Sequence, residues 1–278
     1  MPALHILWRD EHLAAVYKPA GWLVHRTGLD AGETRFVMQT LRDQLGQHVY
    51  PVHRLDKGTC GVLVMALHPA AARALSQAFE HHAVRKDYLA LVRGWAPGAV
   101  QVDHALRPDD APPDAPVQDA HTTLRSLAQL EWPEAADPRF GTTRASLVHA
   151  LPTTGRRHQI RRHLKHIAHP IIGDATHGKG PLNRWWADRL GGQRLWLHAW
   201  RLQVPHPATG EALTFTSGLQ WPPTGLPPDE AGCEALPAEG LADLRDWQAL
   251  WRLGQWQVMA HTARACETAP TVDVGKGR

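Results

Sequence analysis

The chain has 278 residues, of which 43% are hydrophobic and 21% charged, with a net charge of +3. This composition is ordinary for a globular protein of one large or two smaller domains. The three cysteines form no CxxC pair, which disfavours a disulfide scaffold and a cysteine-rich zinc site. No apolar run is long enough to cross a bilayer, and Arg9 and Asp10 follow too early for a signal peptide. We therefore expect a cytoplasmic protein without a membrane partner.

The first third of the chain predicts a strand pair, two helices and a buried strand. Within residues 5–25, two short strands surround a polar turn and are followed by the turn Lys-Pro-Ala-Gly. Residues 35–46 predict a helix that ends at Gly46, and the apolar run 61–67 predicts a buried strand. A second helix follows over 68–84, where small and apolar residues recur at helical spacing.

The middle and the end of the chain predict more strands, one basic helix and a closing hairpin. Residues 87–95 have a strand pattern, whereas residues 107–120 are rich in Pro and Asp and predict a loop. A helix over 156–170 should stop before Pro170, and a hairpin should follow over 193–217.

Beyond about residue 221 the composition changes to a linker, one amphipathic helix within 241–253 and a disordered tail. We thus predict a catalytic domain over 1–221 and a C-terminal extension over 222–278.

Positive charge is concentrated in one window, since no Asp or Glu occurs between Asp137 and Asp174. The window holds seven Arg and Lys residues: Arg139, Arg144, Arg156, Arg157, Arg161, Arg162 and Lys165. Three of them, Arg157, Arg161 and Lys165, are four residues apart and would share one helix face. Such a row indicates a polyanionic partner such as nucleic acid. From charge alone, a solvated basic face stays an equal alternative.

Four histidines of the same window raise the question of a metal site. His158, His163, His166 and His169 are spaced five, three and three residues apart. This spacing does not place three ligands on one helical face, and the chain contains no HExxH motif. We therefore expect no metal at these residues.

The stretch HRLDKGTCG, residues 53–61, presents the carboxylate of Asp56 between cations at the start of the buried strand. A carboxylate in this place can be a nucleophile, an acid or base, a metal ligand, an ion-pair partner of Arg54, or a turn cap. Gly58 and Gly61 permit unusual backbone angles and close approach of a ligand. Small residues around one charged group are typical of a loop that presents a catalytic side chain.

Four ordered segments resemble the RluA-type pseudouridine synthases. HRLDKGTCG is similar to the family's His-Arg-Leu-Asp signature, with Cys60 in place of the usual Ser. DEHLAAVYKPAGWLVH resembles its N-terminal strand pair, and KDYLALVRG its Lys-x-Tyr-x-Ala-x-Val-x-Gly segment. TTGRRHQIRRHLKHIAHPIIGD resembles its Thr-Gly-Arg-x-His-Gln segment with the Pro-Ile-x-Gly-Asp that follows. The similarity covers residues 5–216.

The resemblance implies an enzyme that isomerises uridine in RNA to pseudouridine without a cofactor. Asp56 would be the nucleophile and Tyr88 would stack on the target uracil. The guanidinium of Arg161 would pair with Asp56, with Arg156 as the second choice. Arg54 would fill the place that the base leaves in the RNA.

Further positions are assigned to substrate binding. Ile160 resembles the apolar residue that closes the family's pocket, although its spacing with Leu164 also fits the protein core. Arg156, Arg157 and Lys165 would contact phosphates, and RNA affinity would then fall with salt.

The family fold is α+β, with a central mixed, mainly antiparallel sheet flanked by helices and loops. The segment from Gly21 to Asp56 is more similar to the tRNA-modifying members than to the rRNA-modifying ones, which implies tRNA as the substrate and its uridine 65 as the target. We expect a monomer with no obligate protein partner. The same chemistry on ribosomal RNA, or RNA binding without catalysis, are the alternatives.

Overall fold

The computed structural model describes residues 3–26, 32–108, 111–112, 114–219, 242–250, 256–259 and 271–272. They form two compact units. The first unit contains the described residues up to 86, together with 198–219 and 242–248, and the second contains the remainder. Among the described residues, no helix has the length and apolar character that crossing a membrane requires.

The helices of the described chain are α1 Val37–Leu45, α2 Pro69–Glu80, α3 Gln159–His166, α4 Gly180–Leu190 and α5 Ala242–Leu250. The strands are β1 Ile6–Arg9, β2 Leu13–Lys18, β3 Tyr50–Pro51, β4 Cys60–Ala66, β5 Arg85–Arg93, β6 Ala99–Asp103, β7 His121–Trp132, β8 Thr143–Pro152, β9 Leu197–Pro205, β10 Ala212–Thr216, β11 Gln257–Val258 and β12 Thr271–Val272.

The first unit is a mixed sheet with the strand order β1-β2-β4-β9. β10 pairs with β9 and β3 pairs with β4, and the only parallel pairing recorded among these strands joins β4 to β9. Every residue of β4 is buried, which explains its continuous apolar run. The predicted strand pair, buried strand and closing hairpin are therefore confirmed.

The two predicted helices of this unit are also present. α1 ends at Gly46, whose φ of 66° is left-handed and suits a residue without a Cβ. In α2, Pro69 occupies the first turn and the His68 side chain accepts a hydrogen bond from the Ala71 N–H at 3.3 Å. Its apolar residues, among them Leu75, pack on the core formed with β2, β4 and β9.

The second unit has the strand order β5-β8-β7-β6, with β12 parallel to β6 and β11 antiparallel to β7. All other recorded pairings in it are antiparallel. Both units thus combine helices with mixed, mainly antiparallel sheets, and the predicted α+β class is confirmed.

The basic helix differs from the prediction at its start. α3 begins at Gln159, because His158 adopts a left-handed φ of 55°, and it ends before Pro170 as predicted. Arg157 therefore precedes the helix, and Arg161 is buried whereas Arg157 and Lys165 are exposed. The prediction that these three cations form one solvent-facing row is wrong, since the middle one faces the protein interior.

The C-terminal predictions are covered in part. α5 lies within the amphipathic helix predicted over 241–253. The predicted linker lies outside the described residues, as does the predicted tail apart from the two residues of β12. The domain boundary near residue 221 stays a prediction.

Candidate active site

Asp56 lies on the loop that joins β3 to β4 in the first unit. Its side chain is half-buried, the neighbouring Leu55 is buried and Arg54 is exposed. The Thr59 N–H donates to the Asp56 carbonyl at 3.1 Å, which closes a four-residue turn. The buried Leu55 thus anchors the loop, and the turn fixes the position of Asp56.

The ammonium group of Lys18, at the end of β2, ties this loop down. Its Nζ donates to the carbonyls of Pro19 at 3.0 Å, Lys57 at 3.2 Å and Thr59 at 2.6 Å. The Lys57 carbonyl also accepts the Gly21 N–H at 2.8 Å. Because an ammonium has three N–H donors, each of them has a carbonyl acceptor here.

Lys18 is fully buried, and its charge has specific partners. Burial lowers the pKa of Lys18 to about 8, while the nearby Cys60, Asp243 and Asp56 raise it. The ammonium therefore lies close enough to Asp56 to interact electrostatically with its carboxylate. This places a positive charge near the candidate nucleophile.

His53 fixes the chain before the loop. Its Nε2 accepts the Val64 N–H at 3.0 Å, and its ring stacks on Phe79 with 4.6 Å between centroids. Burial and the neighbouring charge of Lys86 lower the pKa of His53 to about 3. His53 is therefore neutral at physiological pH and acts as a hydrogen-bond acceptor that orients the segment leading to Arg54.

The chain that leaves the loop runs into close contact with β9. Gly61 has a φ of 115°, and a Cβ at this position would lie 2.1 Å from the Ala199 carbonyl oxygen. The fully buried Cys60 places its Sγ 3.1 Å from His198 Nδ1, and His198 Nε2 lies 2.7 Å from Ser217 Oγ. Cys60, the departure from the family pattern, thus keeps a polar contact.

Tyr88 lies on β5 in the second unit, opposite Ala150 of β8, and is half-buried. Its neighbour Asp87 points to the opposite face of the strand. There the Asp87 carboxylate lies 2.8 Å from His149 Nε2, and both side chains are buried. This buried pair fixes β5 beside Tyr88.

The start of α3 is organised by the buried side chain of Gln159. Its Oε1 accepts hydrogen bonds from the Thr154 hydroxyl at 2.7 Å and the Arg156 N–H at 2.9 Å. Its Nε2 donates to the His121 carbonyl at 2.9 Å and to Thr122 Oγ1 at 3.0 Å. Because all four hydrogen-bonding positions of the amide are used, the Thr-Gly-Arg-x-His-Gln segment is locked to β7.

Arg161 forms a buried bidentate pair with Asp174. Arg161 Nε donates to Oδ2 at 2.7 Å and Nη2 to Oδ1 at 2.8 Å. Burial raises the pKa of Asp174, but hydrogen bonds from Arg161 and the His177 N–H outweigh it and hold this pKa below its ordinary value. The pairing of Arg161 with Asp56 stays a prediction, and so does the second choice, Arg156, whose Nε donates to the Asp119 carbonyl at 2.9 Å.

The remaining predicted binding residues of the second unit differ in exposure. Ile160 and Leu164 are both buried, as the core alternative requires. Arg157 and Lys165 are exposed and accessible to a polyanion. Their contacts with RNA, and the place of Ile160 in a pocket, stay predictions.

The histidines of the basic window contact different groups. His163 is fully buried, with Nε2 3.0 Å from the His104 carbonyl and Nδ1 2.9 Å from Thr122 Oγ1. His158 contacts His177, and His169 contacts the Arg93 carbonyl. Within the described ranges, no three His, Cys, Asp or Glu side chains are grouped as metal ligands.

Four residues that organise the surroundings of the predicted residues received no role from the sequence: Lys18 and His198 in the first unit, and Gln159 and Asp174 in the second. Lys18 and Asp174 stand in the Lys-Pro-Ala-Gly turn and the Pro-Ile-x-Gly-Asp segment, which were identified only as motifs. One signal for Lys18 was available, because a lysine that ends an otherwise apolar strand must find acceptors. His198 carries no local signal, since its contact with Cys60 spans 138 residues.

The sequence profile of the family RNA pseudouridylate synthase matches residues 12–166, a range that includes Asp56, Tyr88 and Arg161. The chain therefore belongs to this family, in its RluA type, and is an RNA pseudouridine synthase, an isomerase. This finding removes the alternative of an RNA-binding protein without catalysis.

Individual relatives agree with this classification. The chain is 51% identical to tRNA pseudouridine synthase C of Yersinia pestis over 80% of its own length and 89% of that protein. It is 48% identical to the protein of the same name from Vibrio cholerae, over 78% and 91%. Among solved structures, human RNA pseudouridylate synthase domain containing 1 matches with a TM-score of 0.60 and 27% identity, over 77% of this chain and 82% of that one.

Proposed function

We propose that this enzyme converts a uridine of tRNA, the uridine at position 65, to pseudouridine with Asp56 as its nucleophile. The observation that carries the tRNA substrate is the identity of about half of the aligned residues with relatives named tRNA pseudouridine synthase C. Position 65 is supported by the resemblance of the segment from Gly21 to Asp56 to the tRNA-modifying members.

The reaction breaks the bond between ribose C1′ and uracil N1 and forms a bond between C1′ and C5. The hydrogen that leaves C5 is replaced by one on N1, so no atom is gained or lost and nothing is oxidised. Such an isomerisation requires one nucleophile or base and a pocket that retains the detached base and excludes water.

The environment of Asp56 supports its role. The carboxylate is half-buried on a turn whose carbonyls are held by the buried Lys18 ammonium. A fixed backbone orients the nucleophile before the substrate arrives, which lowers the entropic cost of the attack. The buried ammonium of Lys18 lies near this carboxylate and interacts with it electrostatically.

Tyr88 and Arg161 have supporting roles in this proposal. The half-buried ring of Tyr88 stacks on the uracil, so the extruded base exchanges stacking in the RNA for stacking on an aromatic face. Arg161, held by Asp174, supplies a guanidinium of fixed orientation. Ile160 contributes an apolar surface to the pocket for the base.

Extrusion of a paired stem uridine costs a few kcal/mol that RNA binding must offset. Arg157 and Lys165 are exposed and grip the phosphate backbone, with Arg156 as a further contact. The exposed Arg54 fills the place that the base leaves. Recognition then depends mainly on the folded shape of the RNA, with the flipped base as the specific contact.

The assignment of the substrate is tested by mapping pseudouridine in total RNA from cells with and without the gene. The expected result is loss of pseudouridine at position 65 of tRNA alone, restored by the wild-type gene. Loss at a ribosomal RNA site, with position 65 unaltered, contradicts the tRNA assignment and supports the ribosomal alternative.

We also propose that the enzyme is monomeric and cytoplasmic. Light scattering of the purified protein tests the first proposal, and cell fractionation tests the second.

A further inference from the structure

Asp243 and Trp247 of helix α5 contact other segments of the first unit, to which most of this helix belongs. The Asp243 Oδ2 accepts the Ala20 N–H at 2.9 Å. Trp247 is fully buried, and its ring meets His198 edge-on with 5.5 Å between centroids. Because residues four apart share one helix face, both contacts come from the same side of α5.

The contact of Asp243 leads directly to the loop of Asp56. Ala20 belongs to the turn after β2, and the next N–H in that turn, of Gly21, donates to the Lys57 carbonyl. Lys18 at the start of the turn holds the Lys57 and Thr59 carbonyls. The carboxylate of Asp243 therefore holds the turn after β2, and this turn holds the loop of Asp56.

The contact of Trp247 leads to the other end of the same loop. His198, against which Trp247 packs, contacts Cys60 at 3.1 Å. Cys60 is the first residue of β4 and follows Thr59, the last residue of the Asp56 turn. Asp243 thus supports the turn after β2, and Trp247 supports the end of the Asp56 loop. These are the two segments that Lys18 connects.

We propose that α5 is a positioning element of the active site, in which Asp243 holds Lys18 and its turn in the arrangement that presents Asp56, and Trp247 supports the start of β4. The inference rests on the proposed role of Asp56 as the nucleophile. It gives a part of the chain beyond the catalytic segments a role in positioning the nucleophile.

Electrostatics agree with this role. The three carbonyl acceptors require the ammonium form of Lys18, because a neutral amine has only two N–H donors. Burial lowers the pKa of Lys18 to about 8, and Asp243 is one of the groups that raise it. Without the carboxylate of Asp243, Lys18 loses its proton at a lower pH.

The test compares Asp243→Asn with Asp246→Asn in single-turnover assays on the RNA substrate. Asp246 lies exposed on the same helix and provides a matched removal of one carboxylate. We expect Asp243→Asn to lower the rate constant roughly tenfold, since a small misplacement of the nucleophile is enough. The alkaline limb of its pH–rate profile should move to lower pH, whereas RNA affinity stays at the wild-type value and Asp246→Asn reacts as wild type.

Two further variants separate positioning from folding. Asp243→Glu retains the charge and should recover part of the rate and the wild-type alkaline limb. Trp247→Phe should lower the rate without moving that limb, because it leaves the charge beside Lys18 intact.

A wild-type rate and pH profile for Asp243→Asn overturns the inference, as does an equal reduction of the rate in Asp246→Asn. Full activity of Asp56→Asn in the same assay is a different outcome, because it overturns the proposed nucleophile itself.

Discussion

Two buried cations, Lys18 in the first unit and Arg161 in the second, show how single residues organise their surroundings. A charge removed from water costs several kcal/mol unless close partners replace its hydration. Lys18 has three carbonyl acceptors and Arg161 has a bidentate carboxylate. Each therefore holds its surroundings in one arrangement, and a substitution of a partner should be costly.

Replacing Asp56 by Asn tests the nucleophile. The change removes the charge and keeps the size of a half-buried side chain, so folding and RNA binding should be retained. The single-turnover rate of pseudouridine formation should fall by about a thousandfold or more, as expected for loss of a nucleophile. Conversion at a near wild-type rate, with intact RNA affinity, contradicts the proposed mechanism.

Replacing Asp174 by Asn tests the buried ion pair. The guanidinium of Arg161 would lose a bidentate carboxylate partner inside the protein, and we expect the free energy of unfolding to fall by about 3–5 kcal/mol. Chemical denaturation followed by circular dichroism measures this. The control is Asp137→Asn, which removes a carboxylate from the surface pair with Arg139 and should have little effect. An equal change in the free energy of unfolding in both variants would show that the buried pair stabilises the protein no more than the surface pair does.

At the scale of elements, α3 has a structural role and is also predicted to bind the substrate. On its buried side, Gln159 and His163 form hydrogen bonds with β7, at the His121 carbonyl and the Thr122 hydroxyl. Its exposed Lys165, and Arg157 just before it, are available for phosphates. We therefore expect the same short helix to contribute both to the stability of the second unit and to RNA affinity, and the two contributions can be tested separately.

The burial of His163 on α3 predicts that the protein becomes less stable in acid. Burial lowers the pKa of His163 from 6.5 to about 4. The unfolded chain binds a proton at this residue below pH 6.5 and the folded protein does not until about pH 4, so the free energy of unfolding falls as the pH drops through that window.

We expect His163→Gln to reduce the loss of unfolding free energy between pH 7 and pH 5 by roughly 1–2 kcal/mol. Denaturant titrations at both pH values measure it. His48→Gln, at an exposed histidine, is the control and should leave the pH dependence unchanged. An identical pH dependence in His163→Gln and the wild type contradicts the prediction.

The exposed side predicts a salt-dependent interaction with RNA. Arg157→Glu and Lys165→Glu should each weaken binding and reduce the slope of log affinity against log salt by about 0.7 to 0.9 for each phosphate that the protein no longer neutralises. Arg73→Glu, at an exposed position of α2, reverses a charge outside the basic window and serves as the control. Unchanged affinity and slope in both test variants would leave the window as a solvated basic face.

At the scale of the whole molecule, we expect the reaction to require no metal and no cofactor. Pseudouridine formation involves no net oxidation, so activity should persist after exhaustive treatment with EDTA and without added nucleotide or flavin. The rate of the chelated, dialysed enzyme, compared with that of the untreated enzyme, checks this. An enzyme that is inactive until zinc or another metal is restored contradicts the prediction.

Local patterns in the sequence were sufficient for most elements and for the family. The strand pair, β4, α1, α2 and the closing hairpin follow from periodicity and turn residues, because these report on the few residues around them. The motif with Asp56 and the order of the four segments identified the class of enzyme. The start of α3 was placed too early, since nothing in the residues before Gln159 marks the left-handed His158.

Only the tertiary structure decided which distant groups meet. The parallel pairing of β4 with β9 brings Cys60 to His198, and the side chain of Asp243 reaches Ala20 across 223 residues. Arg161 was expected on a solvent-facing row, but the packing of α3 turns it inward to Asp174. These contacts depend on strand register and helix packing over long separations, and a periodic pattern specifies which face is buried but not which partner it meets.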